Sequence, residues 1–285
     1  MPIDTRRVIL CADDYGIAPG VGRAVRELIE LGRLSATSCM TTSQFWPAEA
    51  RLLAPFANRA DVGLHLTLTD QTPLGPLPTL AEGGRLPSIG RLMRRAYAGR
   101  LDAGEIAAEI GRQLDAFEES FGGPPAFLDG HHHVHQLPVI GDTVLALYER
   151  RLRRHGVYLR YTDESFAAIW RRGLSPLKAS VIAATGHTFA RRGRAAGIPG
   201  NRGFRGVREF VGGPSFAAMF PRFVAAPTNP TIVMCHPGIV DDALAAADPA
   251  TAPREEEYRY LAGEECGRAL AALGVRIGRF SETLP

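Results

Sequence analysis

The chain has 285 residues, of which 45% are hydrophobic and 22% charged, and this is enough to build one large core. Its 33 basic and 30 acidic side chains leave a formal charge of +3, a balance that is not typical of a nucleic-acid-binding protein. The four cysteines are too far apart for a disulfide framework or a paired zinc motif, so we expect reduced thiols and a cytoplasmic location. The apolar run at residues 8–11 is too short for a signal peptide or a membrane span.

Short apolar runs alternate with segments of helical periodicity, which is the pattern of β/α units. The predicted strands are Val8–Ala12, Ser35–Thr41, Val62–Leu68, Ala126–His131, Val157–Tyr161, Thr231–His236 and Val275–Phe280. The main predicted helices are Val21–Leu31, which Gly32 would cap, Ala103–Phe121, Val139–His155 and Glu255–Leu273. The sequence therefore predicts the α/β class and a distorted, TIM-like (β/α) barrel of about seven strands.

Two stretches interrupt this alternation. Residues 71–86 are rich in Pro and Gly, and residues 198–221 mix Gly, Pro, Arg and Phe without a period, so both are predicted to be long loops on the barrel rim. Substrate selection often depends on such loops. No shift in composition marks a domain boundary, and residues 1–285 are expected to form a single domain.

Two adjacent carboxylates, Asp13 and Asp14, follow the first predicted strand. Neighbouring strand residues point to opposite faces, but a backbone turn at Tyr15-Gly16 would allow both side chains to serve one site. One carboxylate could then bind a divalent metal ion while the other lies beside a metal-activated water. The alternative is a helix N-cap, a position that Asp favours and that the dipeptide alone indicates more strongly.

Histidines follow other predicted strands. His65 lies within an alternating strand pattern, where a lone histidine is more often a satisfied core residue than a ligand. The run 129–135 is more informative, because a continuing strand would place His131, His133 and His135 on one face, a spacing typical of metal ligands. The alternative is a surface accident, which the apolar residues on both sides of the run disfavour.

The last of these histidines is His236, which ends the apolar run 231–235 and is followed by Pro237-Gly238. Catalytic groups of barrel enzymes lie at the carboxyl ends of the strands. An imidazole of ordinary pKa suits proton transfer near neutral pH, so His236 is a candidate general acid. The alternative is a histidine that caps a turn.

Together these segments resemble the YdjC-like carbohydrate deacetylases, the family that includes chitooligosaccharide and diacetylchitobiose deacetylases. The resemblance extends from residue 8 to about residue 238 and rests on four motifs in the family's order, Ala12-Asp13-Asp14-Tyr15-Gly16, Gly63-Leu64-His65-Leu66-Thr67-Leu68-Thr69, Asp129-Gly130-His131-His132-His133-Val134-His135 and His236-Pro237-Gly238. It implies a distorted (β/α) barrel that binds one divalent cation and removes acetyl groups from N-acetylated sugars. A homodimer is also consistent with the family.

The resemblance also implies roles for individual residues. Asp14, His65 and His131 would bind the metal ion, Asp13 would be the catalytic base, and His236 would lie on the opposite side of the scissile amide. The ion could be Mg²⁺ or Zn²⁺, with Co²⁺ as a further option, since two imidazoles favour zinc or cobalt whereas a carboxylate with retained waters suits magnesium.

Other motif residues have less specific roles. His133 and His135 would contact the substrate or support the metal ligands. The basic stretch that contains Arg205 and Phe204 could bind an anionic or extended glycan, because arginine binds carboxylate or phosphate and aromatic rings stack on sugars. A solvated helix and loop is the alternative for that stretch. It comprises Arg191, Arg192, Arg194, Arg202, Arg205 and Arg208, interleaved with Phe204 and Phe210.

These residue types predict amide hydrolysis of an N-acetylated saccharide or glycoconjugate by a metal-activated water, with an Asp base and a His acid. A metal-dependent phosphoesterase is one alternative, and a two-metal version would need further ligands such as His133 and His135. A sugar-binding protein without chemistry is another alternative. It is disfavoured because a binding site has no use for Asp13 as a base beside Asp14.

Overall fold

The computed structural model describes residues 6–210 and 212–283. Within these ranges the strands are β1 (Arg6–Tyr15), β2 (Ala36–Cys39), β3 (Asp61–Leu66), β4 (Phe127–Gly130), β5 (Tyr158–Leu159), β6 (Gly203–Arg205), β7 (Thr231–Cys235) and β8 (Val275–Ile277). The helices are α1 (Pro19–Glu30), α2 (Trp46–Leu53), α3 (Ile89–Tyr97), α4 (Ala103–Phe121), α5 (Ile140–Leu147), α6 (Phe166–Arg172), α7 (Pro176–Ala195), α8 (Phe216–Val224), α9 (Asp242–Ala247), α10 (Thr251–Ala262) and α11 (Glu264–Leu273).

The strands form a parallel sheet in the order β5-β4-β3-β2-β1-β7-β6, and β8 pairs with the beginning of β1. A parallel bridge between Leu159 and Gly200 connects the edge strand β5 to the segment before β6. Helices surround this curved sheet. The architecture confirms the predicted α/β class and the distorted, TIM-like barrel.

The central strand β1 is covered on both faces of the sheet. Its residues Val8–Tyr15 are all buried, as expected for a strand between two layers. β1 pairs with β7 through Ile9 and Ile232, and with β2 through Cys11 and Ala36. Burial of each large aliphatic side chain here contributes about 1.5–3 kcal/mol, so β1 anchors the elements that carry the site.

Of the four main predicted helices, two are confirmed as α1 and α4, and the other two are shorter than expected. The predicted helix over 255–273 is two helices, α10 and α11, because Gly263 adopts an extended backbone between them. The predicted helix over 139–155 is regular only to Leu147 and then changes to π and 3₁₀ turns. Gly32 follows α1 at φ +65°, the conformation expected of its capping position.

The predicted strand over 126–131 is present as β4, but it does not continue through the histidine run. β4 ends at Gly130, and His131–Gln136 form a 3₁₀ turn in which His132 and His133 have positive φ angles. Alternation along a strand therefore does not align these histidines. The turn begins at Gly130, where a Cβ would lie only 2.9 Å from the His135 amide nitrogen.

The two predicted rim loops differ in structure. Residues 71–86 contain no helix or strand, and the Leu86 amide donates to the Gln71 carbonyl at 2.9 Å. Residues 198–221 also include β6 and the beginning of α8, which the sequence did not indicate because β6 is only three residues long. Val211 of this segment lies outside the described residues. Among the helices that are described, none combines the length and apolar character needed to cross a membrane.

Candidate active site

A cavity of about 620 Å³ opens at the carboxyl ends of the strands. Because these ends meet at one edge of a parallel barrel, side chains from distant parts of the chain converge there. The predicted site residues that line the cavity are Asp13, Asp14, His65, His131, His133 and His236. The cavity is therefore the candidate active site.

The backbone turns at Asp14, one residue earlier than the predicted turn at Tyr15-Gly16. Asp14 has φ +65°, a conformation that costs a non-glycine residue about 1–3 kcal/mol unless its surroundings fix it. A bulge between Ala12 and Tyr15 accompanies the turn. The N-cap of α1 is Ala18, so neither carboxylate serves as the helix cap. The two aspartates instead face different partners.

Asp14 gathers two imidazoles around one carboxylate oxygen. Its Oδ1 lies 3.2 Å from His65 Nε2 and 3.0 Å from His131 Nδ1. Its Oδ2 accepts a hydrogen bond of 2.6 Å from the Arg254 guanidinium. Burial acts to raise the pKa of Asp14, but Arg254 and the two histidines hold it well below its usual range. Asp14 is therefore an ionised carboxylate between three cationic or cation-binding groups.

These three residues could hold a metal ion. One ligand atom from each of Asp14, His65 and His131 lies within 4.8 Å of the others. Two imidazoles and one carboxylate are a common donor set for a catalytic divalent ion, and they leave a coordination position open. Although burial lowers it, nearby carboxylates raise the pKa of His65 to about 10, so metal binding would release a proton from this ring.

A second group of residues orients His65 from behind. His65 Nδ1 lies 2.6 Å from Asp129 Oδ1, which leaves Nε2 directed to Asp14. The Ser38 hydroxyl donates to the same Asp129 oxygen. A carboxylate on the outer nitrogen fixes the ring orientation of a metal-binding histidine and makes the ring a stronger ligand.

Arg160 neutralises the carboxylates in this buried region. Its two terminal nitrogens donate to both oxygens of Asp13 at 2.6 Å, and one of them lies 2.7 Å from Asp129 Oδ2. Arg160 has no exposed surface. Asp13, His65 and Asp129 also bring possible ligand atoms together, but the guanidinium already supplies the positive charge there. The open Asp14 cluster is therefore the better candidate metal centre.

Two arginines of the site were missed in the sequence. Arg160 directly follows β5 inside a predicted strand, so a charged residue beside an apolar run was a visible signal. Arg254 lies on α10 and contacts Asp14, which is 240 residues earlier in the sequence, so no local pattern indicates the contact. It also lies 2.7 Å from an oxygen of Asp248.

His236 lies in the cavity at the end of β7. Its backbone N–H donates to Glu257, and its ring packs edge-on against Phe210 with centroids 5.3 Å apart. Burial lowers the pKa of His236 to about 4, against a smaller opposing effect of Asp14 and Asp13. The ring is thus neutral at pH 7, which differs from the ordinary pKa assumed from the sequence.

The other predicted residues have supporting positions. His133 lines the cavity and packs edge-on against Phe204 at 5.3 Å, while His135 is buried and donates from Nε2 to the Arg160 carbonyl at 2.9 Å. Arg205 is buried away from the cavity lining and donates to the carbonyls of Phe223 and Ala225 at 3.0 and 2.6 Å. Phe204 likewise lies outside the lining.

The cavity lining also includes two basic residues, Arg208 and Lys178, and Arg208 is paired with glutamates. Arg208 is held at 2.9 Å from Glu256 and 3.2 Å from Glu257, and Lys178 donates to the Arg208 carbonyl at 2.9 Å. The lining includes Gly206 at φ +100°, where a Cβ would lie 2.0 Å from the Met234 carbonyl oxygen. Glycine is therefore required for the close approach of this loop to β7.

The fold and the site define an α/β-barrel protein with a candidate divalent-metal centre at the carboxyl ends of its strands. The sequence matches the YdjC-like protein family over residues 7–272, and the chain belongs to that family. The resemblance inferred from the motifs is thereby confirmed.

Two relatives and one solved structure illustrate the similarity. The chitooligosaccharide deacetylase of Yersinia pestis (strain Pestoides F) is 30% identical over 284 residues, which is 96% of this chain and 97% of the relative. The protein of the same name from Yersinia pseudotuberculosis serotype O:1b (strain IP 31758) matches with the same identity and coverage. A protein of Enterococcus faecalis V583, provisionally named a cellobiose-phosphate cleavage protein, shares the fold with a TM-score of 0.74 and 19% identity, over 98% of this chain and 99% of that one.

Proposed function

We propose that this protein is a metal-dependent hydrolase that removes an acetyl group from an N-acetylated saccharide. The observation that carries the proposal is the convergence of Asp14, His65 and His131 in a cavity that Asp13 and His236 also line. The names of the Yersinia relatives support an N-acetylated chitooligosaccharide as the substrate.

Asp14, His65 and His131 would hold one divalent cation, for which Zn²⁺, Co²⁺ and Mg²⁺ are the candidates. When bound, such an ion supplies Lewis acidity for the acetyl carbonyl and lowers the pKa of water. Asp129 and Ser38 would keep His65 in the orientation that ligation requires, since they hold its outer nitrogen.

Asp13 would act as the general base. Arg160 fixes this carboxylate through both oxygens, so its position in the cavity is defined before substrate binds. The carboxylate takes a proton from the attacking water, the water oxygen bonds to the acetyl carbon, and the bond from that carbon to the sugar nitrogen then breaks.

His236 would give a proton to the departing amine. Because burial lowers its pKa to about 4, the reactive protonated form is a small fraction at pH 7 and grows as the pH falls. His133 would contact the substrate. Phe204 would support the His133 ring. His135 would hold the backbone of Arg160, and Arg205 would hold the segment after α8.

The experiment that tests this proposal is acetate release from N-acetylglucosamine, short chitooligosaccharides and N-acetylated glycoconjugates. Purified protein is stripped of metal and supplied with Zn²⁺, Co²⁺ or Mg²⁺, with Asp13→Asn as the control. We expect metal-dependent release that the control loses. Absence of release from every substrate, together with metal-dependent cleavage of a phosphate ester, would favour the phosphoesterase alternative. The cytoplasmic location, the single domain and the homodimer stay predictions.

A further inference from the structure

A second cavity, of about 820 Å³, opens on the same rim as the candidate active site. It is formed by the segments that follow β2 and β3, together with residues of α4 and α9. Its size is within the range of small-molecule sites, and none of the residues of the candidate site lines it. We refer to it as the polar cleft.

Seven of the described residues that line the polar cleft have neutral side chains that can both donate and accept hydrogen bonds. Among the described residues around it, Glu119 is the single charged one. A phosphate or another anion would therefore find no cationic partner there. Hydroxyl and amide groups match the hydroxyl groups of a sugar, and Phe45 adds apolar surface for a ring face. The neutral polar residues are Thr41, Thr42, Ser43, Gln44, Gln71, Thr72 and Ser120.

Hydrogen bonds to α4 fix the walls of the polar cleft. Glu109 accepts from the Leu74 amide at 2.9 Å, which holds one lining segment. The Trp46 indole donates to the Ala116 carbonyl at 3.0 Å, which holds the other. A preformed wall costs less ordering on binding than a loop that must fold around its ligand.

The polar cleft and the active-site cavity share no lining residue, but their walls come close together at two places in the chain. Consecutive residues line the two cavities, Ala247 the cleft and Asp248 the active site, and consecutive Cα atoms are only about 3.8 Å apart. Ile17 lines the cleft and donates its amide hydrogen to the carbonyl of Asp14, whose side chain is the candidate metal ligand. Neighbouring residues of the chain thus line the two cavities, which places the cavities side by side on the rim.

We propose that the polar cleft is a saccharide subsite that binds sugar units beyond the one that loses its acetyl group. This inference rests on the proposed function, because it takes the same chain of sugars as the ligand. It predicts that substrates long enough to reach the cleft are deacetylated with a lower KM than a disaccharide.

Substitutions on α9 can block the polar cleft without changing the core or the metal centre. Ala246 is exposed and lines the cleft, so Ala246→Trp should fill it. Ala245 is exposed on the same helix but lines neither cavity, so Ala245→Trp is the matched control. We expect Ala246→Trp to raise KM for the tetrasaccharide of N-acetylglucosamine about tenfold with little change for the disaccharide, and the control to leave both unchanged.

The possible outcomes distinguish a failure of the subsite proposal from a failure of the proposed function. An equal effect on both chain lengths, or no effect on the tetrasaccharide, would overturn the subsite while the proposed function stands. If no saccharide is deacetylated, the proposed function fails, and calorimetric titration with the glucosamine tetrasaccharide then decides the subsite. Binding by the unmodified protein that Ala246→Trp weakens about tenfold supports it, and absence of binding overturns it.

Discussion

The regions around Asp13 and Asp14 contain the same kinds of groups but differ in what neutralises them. Around Asp13, Arg160 contacts both carboxylate oxygens and also Asp129, and it is wholly buried. Around Asp14, Arg254 contacts one oxygen, and the other oxygen faces two imidazoles in an open cavity. Both regions contain a buried guanidinium, but Arg160 occupies both oxygens of Asp13, whereas Arg254 leaves Asp14 Oδ1 available to a metal ion.

Two adjacent aspartates therefore have different electrostatic surroundings. A buried carboxylate needs a positive partner. At Asp13 a guanidinium takes both oxygens, whereas at Asp14 one oxygen stays available for an exchangeable metal ion. The positive φ of Asp14 places the two side chains in these separate surroundings. Variants of each region should therefore fail in different ways.

The largest expected difference concerns the two arginines. Arg160→Met leaves Asp13 buried without a cation and Asp129 with His65 as its remaining cationic partner, so the free energy of unfolding should fall by about 3–5 kcal/mol. In Arg254→Met the free energy of unfolding should fall less. Saturating zinc should restore part of this loss, because a bound ion compensates the charge of Asp14. Urea unfolding of both variants with and without zinc measures this contrast. Equal deficits that zinc leaves unchanged would remove the distinction between the two regions.

Asp13→Asn should lower kcat about 10³-fold, because the amide cannot take the proton of water. The amide keeps the shape of the side chain and one oxygen for Arg160, so metal content should stay at the level of the unmodified protein. Acetate release and metal analysis on the same sample test both statements. Full activity in this variant would remove Asp13 from the mechanism.

His236→Gln should lower kcat about 10²-fold by removing the proton donor. In the unmodified protein, kcat/KM should increase as the pH falls from 7 to 5 at saturating metal, since more of an imidazole with a pKa of about 4 becomes protonated. The variant should lack this increase. A pH profile that is the same in both proteins would contradict the assignment of His236 as the acid.

Asp129→Asn should weaken metal binding by about 10–100-fold, because it removes the carboxylate that fixes the Nδ1 atom of His65. Competition with a chromogenic chelator provides the affinity. Ser38→Ala is the milder companion, since it removes a hydroxyl that donates to Asp129 and lies 2.9 Å from His65 Nδ1 but keeps the Asp129 carboxylate, and its effect should be about fivefold. Unchanged affinity in both variants would mean that His65 does not depend on this support.

The sequence predicted the parts of the site that local patterns encode. Apolar runs ending in charged or imidazole side chains identified β1, β3, β4 and β7 and placed Asp14, His65, His131 and His236 near one another, because parallel strands end at one edge. The apolar runs alone also identified β2, β5 and β8. β6 was missed because three residues in a Gly- and Arg-rich segment give no period.

The partners that set the electrostatics could not be predicted. Arg254 reaches Asp14 from a helix near the end of the chain, and its side-chain direction depends on how α10 packs. The turn at His131–Gln136 depends on backbone angles that the histidine spacing does not encode. The lowered pKa of His236 results from burial in the assembled cavity, which no local segment contains.

The most direct test is a zinc titration of metal-stripped protein, with the bound ion counted per chain for the unmodified protein, Asp13→Asn and Asp14→Asn. We expect about one ion in the first two proteins and none in Asp14→Asn, because Asp14 belongs to the candidate metal centre and Asp13 does not. Retention of the ion by Asp14→Asn, or its loss from Asp13→Asn, would contradict the division between the two aspartates.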